Sequence, residues 1–253
     1  MSISEKILLL FSHPFISSEQ YQNEWNIDNA LFNLNRCFPN FMDYIIGKKI
    51  CDLGCGLGYQ AVALKIKGAH YVLGVDINPA DIEKARQVAA QHGLEDKVLF
   101  IDKTTAEHKN SFDVVISQNS MEHFDNPALA LEEMKSLLTE NGVLFITFGP
   151  LWYAPYGSHM NFFTKLPWVN ILFSEKTVMN VRKRFREETI EKLTYTEAGL
   201  NKITVNKFEK IIKDSGLRVK FLKYRCVKEL DFLGRLPAVR ELFINQIDCI
   251  VLK

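Results

Sequence analysis

The stretch of this chain with the plainest chemistry is Ile50-Cys51-Asp52-Leu53-Gly54-Cys55-Gly56-Leu57-Gly58-Tyr59. Glycines at alternate positions after a strand-like run let the backbone turn sharply. They also leave main-chain N–H groups with no Cβ in the way, so a nucleotide-like ligand can lie against them. The dinucleotide-binding spacing Gly-x-Gly-x-x-Gly is a different one, because its third glycine would fall on Tyr59. A second carboxylate closes the run Val72-Leu73-Gly74-Val75-Asp76-Ile77, and its two oxygens suit a pair of adjacent hydroxyl donors. Asp52 and Asp76 stand at strand ends, on the side where open α/β sheets bind ligands; an Asp in such a place also caps the loop that follows.

Two histidines have settings that suit proton transfer. His123 follows Glu122 in Ser117-Gln118-Asn119-Ser120-Met121-Glu122-His123-Phe124. An imidazole titrates near neutrality and can take a proton from a hydroxyl with Glu122 orienting it, while the bland role of the pair is to shape a loop and a helix start. His159 lies among the Pro and Gly turns of Gly149-Pro150-Leu151-Trp152-Tyr153-Ala154-Pro155-Tyr156-Gly157-Ser158-His159 and is an equal candidate base, beside the structural role that a loop histidine more often has. From Phe148 to Phe173 the aromatic density, with Trp152, Tyr153, Tyr156, Phe162, Phe163 and Trp168, exceeds that of a solvated loop. It reads as a small core under a helical lid, as an apolar pocket, or as both. Arg182, Lys183, Arg184 and Arg186, followed by Glu187, Glu188 and Glu191, read as a solvated helix held by near-neighbour pairs, with docking of an anionic ligand as the lesser alternative. Cys51 and Cys55 match neither a redox nor a zinc spacing; all five cysteines are expected to be small apolar fillers, and no metal site is expected.

Short apolar runs separated by amphipathic stretches have to position these groups, which is the signature of βα units and a parallel sheet. Strands are expected over 49–53, 71–76, 98–101, 112–117 and 143–148, with helices over 59–67, 79–92 and 127–138. Pro79 and Pro127 suit first helical turns, and Gly68, Gly93 and Gly142 suit the reversals after helices. Upstream, Tyr21, Trp25, Ile27, Leu31, Phe32 and Leu34 lie at near-helical spacing until Pro39 interrupts them. After about fifty residues outside the βα rhythm come a helix over 204–215 and strands over 217–227 and 247–252, the last pair forming an antiparallel hairpin at one sheet edge. The expected fold is α/β, a Rossmann-like, doubly wound seven-stranded sheet, mostly parallel with an antiparallel last strand. One domain is expected, with a helical N-terminal cap (1–46), a core (47–148), a helical lid insertion (149–203) and a C-terminal helix with two strands (204–253).

Composition agrees with an enzyme-sized globular chain. With 253 residues, 47% hydrophobic and 24% charged, it can bury a full core and is not disordered, collagen-like or coiled-coil. A net charge of +1 supplies no overall footprint for nucleic acid. The apolar run from Ile7 to Phe11 is too short for a membrane span and lacks the marks of a cleaved leader, so a reducing, cytoplasmic setting is expected.

The pattern Asp52-x-Gly54-x-Gly56-x-Gly58 resembles motif I of the class I S-adenosylmethionine-dependent methyltransferases. Four segments in the right order, at 50–59, 72–77, 112–124 and 137–146, are similar to that family. The resemblance implies S-adenosylmethionine as cofactor. Its methionine and ribose part would lie on Gly54, Cys55, Gly56 and Gly58, its ammonium group would be held through Asp52, and its ribose hydroxyls would meet Asp76 beside Ile77. The family's adenine-binding Asp falls here on Thr104, so Thr104 or Thr105 takes a diminished version of that role or Asp102 is displaced into it. The backbone after Ser117, with Gln118 and Asn119, would meet the methionine end, and Glu122, His123 and His159 would lie beside the acceptor. The implied activity is methyl transfer to a small molecule, with oxygen the favoured nucleophile. Set against it are a cofactor-sensing module without catalysis, an N- or C-methyltransferase of a glycan or lipid-like acceptor, and a nicotinamide oxidoreductase, disfavoured at Tyr59. No nucleic-acid domain or Pro-Pro-Tyr/Phe base-flipping motif is present.

Overall fold

The computed structural model describes residues 1–14, 26–186 and 190–253. Tyr21, Trp25, Glu187 and Glu188 lie outside the described residues. One seven-stranded sheet runs in the order β3-β2-β1-β4-β5-β7-β6. Its strands are β1 (Lys49–Leu53), β2 (Tyr71–Val75), β3 (Val98–Ile101), β4 (Phe112–Gln118), β5 (Leu138–Phe148), β6 (Arg218–Cys226) and β7 (Ile244–Leu252). The first five are parallel, and β7 lies between β5 and β6, antiparallel to both.

Alternation along the strands divides the core into two faces. Ile50, Val72, Val98, Ile116 and Phe145 face one way, covered by α3 (Tyr59–Ile66) and α4 (Pro79–Gln91). Cys51, Leu73, Val115 and Ile146 face the other, covered by α5 (Pro127–Leu137) and α8 (Val205–Asp214). Asn78 and Asn126 cap α4 and α5 with their side-chain oxygens, each just ahead of the proline that opens the helix. Gly68 and Gly93 turn the chain after their helices with positive φ. Gly142 does not: α5 ends at Leu137, and β5 begins at once and runs through Gly142, with Leu138 paired to Phe112 across a register shift.

The N-terminal segment gives α1 (Ile3–Leu10), α2 (Phe32–Cys37) and a 3₁₀ turn at Phe41–Tyr44. Phe38, Phe41 and Tyr44 set their rings edge-on to Phe145 of β5, with centroids 5.0–5.3 Å apart, which fastens this segment over the middle of the sheet. Residues after β5 carry two further helices, α6 (Val169–Leu172) and α7 (Glu175–Arg182), with a core of their own around Phe163, Val178, Met179 and Tyr195. Leu8 of α1 is buried in that same cluster. The charge run is not a solvated helix, since α7 ends at Arg182, which is buried, and Lys183 turns to pair with Glu191. A final short helix, α9 (Arg240–Phe243), leads into β7.

Candidate active site at the strand ends

At β1 the strand order reverses, because β2 follows on one side and β4 lies on the other, and the crevice above such a switch point is where open sheets take ligands. The glycine loop folds over it, with the Gly54 and Cys55 N–H groups donating to the Val75 carbonyl at 2.8 and 3.0 Å. Asp76 holds the far side: its Oδ2 accepts the Gly56 N–H at 2.9 Å and its Oδ1 the Asn78 N–H at 3.0 Å, joining the loop to the start of α4. Each oxygen keeps a further lone pair toward solvent, and Asp76 is half-buried. Ile77 beside it is exposed, and Cys55 is buried under the loop.

The three loop glycines have different reasons. A Cβ on Gly54 would lie 2.3 Å from Ser120 Oγ, and one on Gly58 would lie 2.6 Å from the Ala85 Cβ and 2.8 Å from the Phe100 ring. Both glycines are required by packing. A Cβ on Gly56 would meet nothing within 4 Å and would project into open space.

Asp52 is 1% exposed, and its Oδ1 accepts from Gln60 at the start of α3 at 2.7 Å while Oδ2 has no partner. Burial lifts its carboxyl to about 7, against the lowering effect of the Gln60 bond and with a further push from Asp76. Gln60, which sequence reasoning passed over, was signalled only by its place two residues after the motif's last glycine. Among the described residues, Ser117 Oγ, Gln118 Oε1, Glu122 Oε2 and His159 Nε2 are likewise buried without a partner, so five of the seven such atoms crowd this end of the sheet. Asn119 sits at φ 53° beyond β4, with its N–H on the Thr147 carbonyl.

Glu122 and His159 are tied to the backbone of two consecutive residues just after β5, Gly149 and Pro150. Glu122 Oε1 accepts the Gly149 N–H at 3.3 Å, and burial raises its carboxyl to about 7. His159 bonds the Pro150 backbone, which offers only a carbonyl, so Nδ1 donates there and Nε2 carries the lone pair. Burial and the nearby His123 lower its imidazole to about 4, which keeps it neutral at physiological pH. His123 is more exposed, and its Nδ1 donates to the Gly199 carbonyl at 2.8 Å. At the adenine position, the Thr104 hydroxyl donates to Glu133 of α5 at 2.7 Å and Thr105 bonds His108, whereas Asp102 stays exposed at the end of β3. Among the described residues no group of three His, Cys, Asp or Glu side chains is placed to hold a metal ion.

The donor set suits the cofactor of the family. Asp52 has a buried carboxyl oxygen without a partner, Asp76 has acceptor capacity that would suit a diol, and the open space beside Gly56 would let a ligand approach bare backbone.

Residues 46–150 match the family model described as a methyltransferase domain. Ubiquinone biosynthesis O-methyltransferases are similar to this chain: the one from Actinobacillus pleuropneumoniae serotype 5b (strain L20) is 32% identical over 139 residues, covering 49% of this chain and 58% of the relative. The one from Histophilus somni (strain 2336) is 35% identical over 143 residues, covering 51% and 60%. The chain thus spans less than two thirds of the length of these relatives. Among solved structures, an S-adenosylmethionine dependent methyltransferase from Mesorhizobium loti superposes with a TM-score of 0.57 at 18% identity, covering 90% of this chain and all of that one. A geranyl diphosphate methyltransferase gives 0.58 at 15% identity, covering 93% and 87%. Residues 46–150 thus match a methyltransferase domain, and the seven-stranded sheet with its glycine loop and acidic strand ends has the fold of S-adenosylmethionine-dependent methyltransferases.

Proposed function

We propose that this protein transfers the methyl group of S-adenosylmethionine to a hydroxyl oxygen of a small-molecule acceptor. The observation that carries the reading is the pairing, at one switch point, of a cofactor-type cradle with a neutral, unpartnered imidazole nitrogen at His159. When bound, the cofactor supplies a methyl carbon on a positively charged sulfur, already activated for displacement. Gly54, Gly56 and Asp76 would hold its ribose side and Asp52 its ammonium group, where a cation offsets the burial that now disfavours the carboxylate. His159 Nε2 would take the proton that the acceptor hydroxyl gives up on methylation. Glu122 orients this end by holding the Gly149 N–H, and His123 packs against the His159 ring. The segment 149–203 acts as the acceptor lid, and alignment with exclusion of water supplies the rest of the rate.

A cytoplasmic setting is part of the proposal; no helix among the described residues is long and apolar enough to cross a membrane. The direct test is calorimetric titration with S-adenosylhomocysteine and with NAD. Binding of the first alone is expected, and binding of NAD in its place would overturn the reading.

A further inference from the structure

A cavity of about 730 Å³ opens at the ends of β6 and β7. Its inner wall is made by Tyr156, Trp168, Arg225, Phe243, Asn245 and Gln246, and Arg36, Lys228, Glu229 and Asp231 stand around its exposed rim. The family match covers residues 46–150, so all of these residues lie outside it. Backbone contacts link its wall to the proposed chemistry in two places. Asn245 lies against Gly149, whose added Cβ would fall 2.1 Å from the Asn245 carbonyl oxygen, and Gly149 carries the N–H held by Glu122. The Tyr156 backbone carbonyl accepts the His159 backbone N–H at 2.9 Å, so wall and candidate base belong to one turn.

Several donors of the inner wall are already committed. Gln246 Nε2 donates to Asp248 at 2.7 Å, Thr147 at 3.0 Å and Cys37 at 3.1 Å, which fixes the amide and leaves Oε1 to offer. Arg225 is paired with Asp248, which is fully buried, and donates to the Arg36 carbonyl. The Trp168 Nε1–H donates to the Tyr153 carbonyl at 3.1 Å. What the wall has left is Gln246 Oε1, further N–H groups of Arg225, the Asn245 amide and the Tyr156 hydroxyl, together with the apolar corner where Trp168 and Phe243 meet at 83°. With the Arg225 charge answered by Asp248, such a wall suits a neutral molecule whose hydroxyls both donate and accept and that has a face of C–H bonds to lay on aromatic rings. The rim carries charges of both signs, so a long apolar tail leaving the cavity would have to cross them, whereas a chain of further hydroxylated rings would hydrogen-bond to them. Trp168, Lys228 and Glu229 all hold positive φ at the lip, at 56°, 52° and 58°, a conformation unfavourable for such side chains and in keeping with a shaped site.

We infer that this cavity receives a neutral polyhydroxylated ring, so that the methyl acceptor is a glycan or glycoside. The inference rests on the methyl-transfer reading and names its substrate class. The test is saturation-transfer NMR on the full chain with S-adenosylhomocysteine, using methyl glycosides of neutral hexoses and 6-deoxyhexoses as probes and catechol and hydroquinone as comparators. At least one glycoside is expected to bind. Gln246→Ala should reduce its signal about fivefold, the equivalent of one hydrogen bond. Tyr156→Ala, at a side chain 40% exposed and therefore tolerant of truncation, should also reduce it, with affinity for S-adenosylhomocysteine unchanged. Binding of the phenols without any glycoside, or glycoside binding untouched by both substitutions, would overturn the sugar assignment and leave methyl transfer standing. Failure to bind S-adenosylhomocysteine would overturn the methyl-transfer reading and this inference with it.

Discussion

The imidazole rings of His123 and His159 meet edge to face, centroids 5.4 Å apart at 87°, although the residues lie on loops after different strands. Both rings donate Nδ1–H to a backbone carbonyl, so both direct an Nε2 lone pair elsewhere. Their environments then separate them. His159 is buried and held to the end of β5, whereas His123 is more exposed and tied to Gly199.

From this difference His159→Ala should lower turnover roughly a hundredfold, the usual worth of a positioned general base, with cofactor affinity little changed. His123→Ala should cost less than about tenfold, because its removal takes away a packing partner and not the proton acceptor. Because the His159 imidazole lies near 4, the acid limb of the wild-type rate profile should fall around that pH and not around 6.5. Full turnover of His159→Ala from pH 6 to 9 would return this ring to a structural role.

Glu122 is a positioning residue in this scheme. Glu122→Gln keeps an oxygen for the Gly149 N–H and should retain turnover within about threefold, whereas Glu122→Ala leaves that N–H without its acceptor and should lose at least tenfold, the free-energy equivalent of about one hydrogen bond or more. Equal loss in both variants would show that the charge, and not the hydrogen bond, matters.

The loop glycines allow stability and binding to be separated. Gly56→Ala faces only the cost of a side chain at φ 49°, about 1–2 kcal/mol. It should fold, with a melting point lower by a few degrees. It should still lose cofactor affinity, since its Cβ enters the space beside the cradle. Gly58→Ala drives a Cβ into Ala85 and Phe100 and should damage the fold itself. Undiminished S-adenosylhomocysteine binding by Gly56→Ala would place the cofactor elsewhere.

Asp76→Ala should weaken S-adenosylhomocysteine binding by more than about 1 kcal/mol, because a charged acceptor is lost and the Gly56 N–H it holds is released. Isothermal titration with unchanged affinity would remove Asp76 from the site.

How far these roles could be read in advance depended on how local their signals are. The strands at 49–53 and 98–101 and the cofactor loop follow from short-range pattern, since apolar alternation, glycine spacing and a closing Asp all lie within a few residues. The start of β5 did not follow: Thr139-Glu140-Asn141-Gly142 has the composition of a turn, and only pairing along β4 makes it strand. The cavity wall was also missed. Cys37 is not a plain apolar filler, because it joins Thr147, Gln246 and Asp248 across more than a hundred residues, a partnership no local pattern announces. One usable sign was Asp248 itself, a lone carboxylate in the apolar run Ile247-Asp248-Cys249-Ile250-Val251.

Asp52 should reveal its role through a trade of stability against binding. Its carboxyl and that of Glu122 rise on folding from 3.8 and 4.5 to about 7, so their contribution to stability is fully present below about pH 4 and is lost as pH rises through about 7. His159 works the other way: lowered from 6.5 to about 4, it supports folding above 6.5 and loses that support as pH falls toward 4. With two carboxyls against one imidazole, the ligand-free protein should melt lower at pH 8 than at pH 5.5. Asp52→Asn keeps an acceptor for Gln60 but never carries the buried charge, so it should raise the melting point at pH 8 by at least about 3 °C, roughly what removing one kcal/mol of penalty gives in a chain of this size. The same substitution should abolish S-adenosylhomocysteine binding, because the carboxylate that burial disfavours is the one a bound cation would ionise. Scanning fluorimetry across pH 5 to 9, with and without S-adenosylhomocysteine, reads both effects, and an Asp52→Asn protein that melts no higher at pH 8, or that binds the ligand as well as the wild type, would show that Asp52 is structural.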